Sequence, residues 1–150
     1  SNKTKFFERL KKRVKRNRVE EKIIFAGNVS DMPAIYSIAD VVLSTSIEPE
    51  AFGRVSAEGC AMSKPVISSN HGGSKDIIEN EKTGWLVEPR NPTKLAEKII
   101  QVINMPEKKK DQIVKSARVR VQKKFSLDQM LNKTINLYEE LVARRENINY

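Results

Sequence analysis

Residues 41–62, VVLSTSIEPEAFGRVSAEGCAM, decide the fold. VVLS is short and apolar, which reads as a strand. IEPEAFG carries Pro49 and Gly53 and reads as a turn. RVSAEGCAM reads as a short helix beginning near Phe52 or Gly53. In that geometry the backbone N–H groups of Phe52 to Val55 point out of the helix start. The helix dipole adds positive potential there, so the spot suits a phosphate or diphosphate. Gly53 removes a side chain where a ligand would approach the backbone. Glu50 stands before the helix and Glu58 roughly one and a half turns into it, so two carboxylates can face one ligand from two sides. The plainer reading is that a glutamate near a helix start is only a favourable partner for the dipole.

The same alternation extends in both directions. Residues 3–17 read as an amphipathic helix with Phe6, Phe7, Leu10 and Val14 on one stripe. Residues 23–26, IIFA, end at Gly27 and read as a buried strand. Asp31 and Pro33 open a helix carrying Ile35, Tyr36, Ile38 and Ala39. After the central helix, Lys64-Pro65 stops the pattern and PVISS (65–69) is a strand. His71-Gly72-Gly73 is a tight turn into a helix with Ile77 and Ile78, and WLV (85–87) is the fourth strand. Asn91-Pro92 starts a helix that ends at Met105-Pro106, and two further helices follow across 107–145. The last opens at Ser126 with Gln129 three residues on, a capping box. Leu127, Met130, Leu131, Leu137 and Leu141 give it one apolar face.

Short apolar strands about twenty residues apart, joined by helices, predict an α/β fold: a Rossmann-like open parallel sheet of about four strands with flanking helices. Ligands of such sheets bind beyond the carboxyl ends of the strands. The segments there are Gly27-Asn28-Val29, Ser44-Thr45-Ser46 with the Glu50 loop, and Ser68 to Gly73, all rich in Gly, Ser and Asn.

The length of 150 residues fits a single domain. The N-terminus is charged throughout and contains no signal-peptide pattern, and no apolar run is long enough to span a membrane. One cysteine, Cys60, excludes an internal disulfide, and its small neighbours favour packing over nucleophilic chemistry. With one cysteine and one histidine, His71, no zinc or haem pattern exists, so no metal is expected. The reading is of a cytoplasmic protein. The net charge of +9 sits at the ends: residues 23–105 hold seven Lys/Arg against ten Asp/Glu. The ten basic residues from Lys3 to Lys22 leave peripheral contact with an anionic membrane open, beside the plainer reading of a solvated face that docks on the protein's own core. No nucleic-acid motif appears, and no specific nucleic-acid partner is expected.

EAFGRVSAE (50–58), followed by AMSKPVISSNHGGSKDIIENEKTGWLVEPRNPTKLAEKI (61–99), resembles the nucleotide-sugar-binding half of the group 1 glycosyltransferases. The upstream IIFAGNVSDMPAIYSIADVVLSTS (23–46) resembles the same family. The resemblance implies a retaining enzyme of the GT-B fold, in which two Rossmann-like domains face each other across the active site. It implies that Glu50 meets the donor sugar near its reacting carbon and that Glu58 accepts hydrogen bonds from the ribose hydroxyls. Backbone of Phe52, Gly53, Arg54 and Val55 would meet the diphosphate and sugar, and backbone at Asn28 and Val29 the nucleobase. Gly72 and Gly73 would lie at the same site. The donor implied is a nucleotide-sugar such as a UDP- or GDP-sugar, bound without a cofactor, and the pathway implied is cell-surface polysaccharide or lipopolysaccharide synthesis.

Three positions depart from the family pattern: Gly59 where alanine is usual, Ser63 where glycine is usual, and Asp76 where glutamate often follows the double glycine. The acceptor domain and the first two strands of the donor domain are not found in this sequence. The chain alone is therefore expected to be inactive in transfer, whether as a fragment, one half of a split gene or a degraded copy. Two other readings stay open at this level. One is a nucleotide-sugar epimerase or phosphorylase of the same architecture. The other is a non-catalytic module that uses its basic ends on a membrane or nucleic acid.

Overall fold

The computed structural model describes residues 2–146. The chain divides into two compact units, one up to Met32 and the other from Pro33 onward. In the first, α1 (Asn2–Arg16) is followed by a 3-10 turn at Glu20–Lys22. Arg13, Lys15 and Arg16 lie in the last turn of α1, where cations suit the helix dipole. Phe7 of α1 meets Phe25 edge to face, with ring centroids 5.1 Å apart. Residues 23–26 are not a strand, contrary to the sequence expectation. Ile24 is 90% exposed, and Ile23 and Phe25 are also exposed. A parallel strand is held by hydrogen bonds to its neighbours, and among the described residues no strand pairs with this run. Apolar character alone did not suffice.

Next come α2 (Met32–Ile38), β1 (Val42–Ser44), α3 (Arg54–Ala61), β2 (Val66–Ser69), α4 (Ser74–Ile77) and β3 (Trp85–Val87). The chain then runs through α5 (Pro92–Ile103), α6 (Glu107–Phe125) and α7 (Leu127–Glu146). The sheet is open and parallel, in the order β1-β2-β3, with helices flanking it. It has three strands, where the sequence suggested about four. Val42 pairs with Val66, and Ile67 pairs with Trp85. All four residues of central β2 are buried, as expected of a strand covered on both faces.

Ile67, Trp85 and Val87 pack with Val102 of α5 and Ile113 of α6. Asn91 caps α5 by accepting from the Lys94 N–H at 3.0 Å, and Pro92 fills the first helical position. On α3, Gly59 faces the sheet. A Cβ there would sit 2.8 Å from Val66 Cγ2 and 3.2 Å from Val42 Cγ1. The mid-helix glycine therefore lets α3 lie close on β1 and β2, which offsets its cost of about 1 kcal/mol in helix propensity. The guanidinium of Arg120 on α6 caps the short α4. It donates to Ile77 O at 2.9 Å and to Asp76 O at 2.8 Å, and it also pairs with Glu79. At α7, Ser126 Oγ accepts from the Gln129 N–H at 3.3 Å, the first half of the expected capping box. The apolar face of α7 lies exposed, and among the described residues no element covers it.

The end of α3 explains the departure at residue 63. Lys64 N–H donates to Gly59 O and Ser63 N–H to Cys60 O, each at 3.0 Å, the pairing of a Schellman cap. That cap needs a left-handed residue, and Ser63 takes it with φ +54°. A side chain in this conformation costs about 1–2 kcal/mol. Ser63→Gly should relieve that strain at some cost in unfolded-chain entropy, for a net gain of roughly 0.5–1 kcal/mol. A thermal melt should show a rise of about 2 °C; a lower midpoint would contradict the cap assignment.

Candidate functional site

Parallel strands deliver their following loops to one edge of the sheet. β1 runs into residues 45–53, and β2 runs into residues 70–73. These two loops touch through backbone. Gly73 N–H donates to Glu50 O at 2.8 Å. A Cβ on Gly72 would lie 2.5 Å from Glu50 O, and one on Gly73 would lie 2.3 Å from Phe52 O. Gly72 also has φ +53°, whereas Gly73 is right-handed, so at Gly73 the requirement is space alone. The double glycine allows the turn to lie against the Glu50 loop.

Glu50 is half-buried, and its side chain is held from within its own loop. Ser46 Oγ donates a short hydrogen bond to Glu50 Oε1. Ser46 O in turn lies 3.0 Å from His71 Nε2. A carbonyl only accepts, so Nε2 carries a proton and donates. Nδ1 is buried without a hydrogen-bond partner. His71 thus fastens the Glu50 loop to the turn after β2. The sequence placed Ser46 and His71 in the ligand-side loops but gave neither a part in holding Glu50.

α3 begins at Arg54, with Gly53 as its left-handed cap at φ +85°. The first helical hydrogen bond runs from Ala57 N–H to Gly53 O. The amides of Arg54, Val55 and Ser56 therefore precede the helical ladder and are available at its positive end. A Cβ at Gly53 would meet Ser74 Oγ at 3.2 Å and Ile77 Cδ1 at 3.5 Å, so the space it leaves is filled by α4. Phe52 precedes the helix and stacks edge to face on Phe125 at 5.7 Å. Beneath the loops lies a buried serine cluster. Ser68 Oγ is 3.2 Å from Ser44 O, 3.2 Å from Ser56 Oγ and 2.7 Å from Ser74 Oγ. If Ser68 donates to the carbonyl, its two lone pairs accept from Ser56 and Ser74, and each proton is used once. The cluster joins β1, β2, α3 and α4, and so fixes both loop anchors.

Glu58 is engaged on both oxygens. Tyr36 OH donates to Oε2 at 2.8 Å, and Arg54 Nε lies 3.1 Å from Oε1. Burial, the hydrogen bond to Glu58 and the charge of Glu58 push the Tyr36 hydroxyl up to about 12, against a lowering by Arg54. Tyr36 was legible in the sequence only as an apolar-face residue of α2. Glu50, Phe52, Gly53, Arg54, Val55, Glu58, Gly72 and Gly73 thus gather around one helix start and its facing turn. Asn28 and Val29 lie in the first unit, on an irregular stretch, with Asn28 exposed and Val29 half-buried. Among the described residues no three His, Cys, Asp or Glu side chains gather as a metal site would need. No helix among them is long and apolar enough to cross a membrane.

The sequence profile of the group 1 glycosyl transferases matches residues 3–120. The chain belongs to this family. It is 32% identical over 124 residues to the capsular polysaccharide biosynthesis glycosyltransferase CapM of Staphylococcus aureus, covering 83% of this chain and 32% of CapM. A glycosyltransferase structure from Rickettsia africae superposes with a TM-score of 0.88 at 39% identity, over 95% of this chain and 38% of that one. The Anabaena HepE structure in complex with UDP-glucose superposes with a TM-score of 0.87 at 26% identity, over 91% of this chain and 37% of that one. These neighbours make the fold that of the GT-B glycosyltransferases. The chain spans about a third of the length of the curated relatives it matches.

Cys60 is not among the side chains of this site. It is fully buried on α3, and burial pushes its thiol up to about 12 despite a lowering by Arg120. Thiolate is the reactive form, so the native protein at pH 8 should react with an aromatic disulfide reagent far more slowly than the denatured chain. Equal rates in the two states would contradict the burial described.

Proposed function

We propose that this chain binds the nucleotide-sugar donor of a retaining glycosyltransferase. Joined to an acceptor-binding domain, it would transfer the sugar in the synthesis of a cell-surface polysaccharide or lipopolysaccharide. One observation carries this reading: Glu50 and Glu58 are each held by dedicated hydrogen bonds, one before and one within the helix whose free amides face the same edge of the sheet. The amides of Arg54, Val55 and Ser56 would take the diphosphate, and the exposed Arg54 adds a positive charge beside them. Glu58 would accept from the ribose hydroxyls. Glu50 would meet the sugar near the carbon whose bond to the diphosphate breaks. With amides and a guanidinium on the diphosphate, the chemistry calls for no metal. Asn28 and Val29 would supply the backbone contacts to the nucleobase.

The family membership supports a transferase, HepE bound to UDP-glucose supports a nucleotide-sugar, and CapM supports the polysaccharide pathway. The basic residues of α1, with Phe6 exposed among them, suit peripheral contact with an anionic membrane from the cytoplasmic side. The chain alone is proposed to bind donor without turning it over.

Isothermal calorimetry with UDP and GDP tests the donor site. Glu58→Ala should weaken binding of the tighter nucleotide by about 1–3 kcal/mol, because the ribose hydroxyls lose their acceptor. Unchanged affinity would overturn the role given to Glu58.

A further inference from the structure

Glu58 is a carboxylate whose position is set by another residue. Ionised, it only accepts hydrogen bonds, and its two oxygens offer about four lone-pair sites. Tyr36 uses one site on Oε2 and Arg54 one on Oε1. One site on each oxygen remains, a pair matched to two adjacent hydroxyl donors. The Glu58 side chain is 37% exposed, so such donors can reach it.

The two holding residues are unequal. The Arg54 side chain is 82% exposed, and an i, i+4 pair of that kind is weak and screened by salt. Tyr36 is only 5% exposed, on a different helix, and its hydroxyl donates to Glu58. Burial and the neighbouring Glu58 push its pKa up to about 12, so the hydroxyl is a donor at neutral pH. Without that hydroxyl, the carboxylate would hang from α3 with only a solvent-exposed guanidinium to direct it.

We propose that Tyr36 is a positioning residue for ribose recognition, holding Glu58 so that its free lone pairs meet the 2′- and 3′-hydroxyls of the donor nucleotide. The proposal rests on the reading of Glu58 as the ribose acceptor. It goes beyond that reading by making the choice of ribose over deoxyribose depend on a residue that touches neither. A buried tyrosine that merely satisfied its hydroxyl on the nearest acceptor would affect stability without affecting that choice.

The test measures dissociation constants of the 150-residue chain by calorimetry. The ligands are UDP or GDP, whichever binds tighter, and its 2′-deoxy counterpart. The original chain should favour the ribonucleotide by about tenfold or more, the loss expected when a paired hydroxyl is removed. Tyr36→Phe should weaken the ribonucleotide about fivefold and the deoxynucleotide, which keeps only the 3′-hydroxyl, clearly less, and Glu58→Gln should shrink the preference further. Equal weakening of both ligands by Tyr36→Phe, or none of either, overturns the proposal. If the original chain binds nucleotide without preferring ribose, the reading of Glu58 itself fails and Tyr36 falls with it. If Tyr36→Phe does not fold, Glu58→Asp withdraws the carboxylate from the hydroxyl with the ring in place. The same selective loss is then expected, and an unselective one overturns the proposal.

Discussion

The site depends on two loops whose backbones touch. The turn at Gly72 and Gly73 lies against the segment from Glu50 to Phe52 at distances that leave no room for a Cβ. One hydrogen bond, from Gly73 N–H to Glu50 O, closes the contact. The two carboxylates depend on this closure in different ways. Glu50 lies on the touching segment, and His71, one residue before the double glycine, fixes its neighbour Ser46. Glu58 lies on the helix that the segment leads into. Beneath both, Ser68 ties the ends of β1 and β2 to α3 and α4. A polar cluster at that depth is stabilising only when every member is satisfied, and the hydroxyl assignment described here satisfies each.

Much of this was legible in the sequence because local chemistry and sheet topology agree there. VVLS, PVISS and WLV became strands within a residue of their predicted ends, since each is short, apolar and bounded by turn residues. Asn91-Pro92 and Ser126 opened helices because their side chains or ring fit the first turn. IIFA shows the limit. It is short and apolar like the other strands, yet strand formation lies in the partner's hydrogen bonds, and among the described residues no strand pairs with it. The apolar face of α7 shows a related limit: periodicity reveals that a face is apolar but not what covers it.

Within the site, the glutamates and glycines were legible, and the residues that hold them were not. Tyr36 is 22 residues from Glu58, and His71 is 25 from Ser46. No spacing rule reaches that far; only the fold brings these pairs together. The structure also changes the physical reason for the glycines. Gly53 reads in the sequence as leaving room for a ligand, and that room is taken by α4, while Gly72 and Gly73, read as a tight turn, make room for the protein's own Glu50 loop. Gly59 and Ser63, which depart from the family pattern, are accounted for by helix–sheet packing and by a Schellman cap that serine fills under strain.

In the proposed function, a nucleoside diphosphate binds at the closed pair of loops on the carboxyl edge of the sheet. Amide proton–nitrogen correlation spectra of the labelled chain, recorded while UDP or GDP is added, test it most directly. The largest shifts should fall on Arg54, Val55, Ser56 and Glu58 and on the turn at Gly72 and Gly73. Shifts confined to the basic faces of α1 and α6 with these amides unmoved, or no saturable shifts at all, would contradict it.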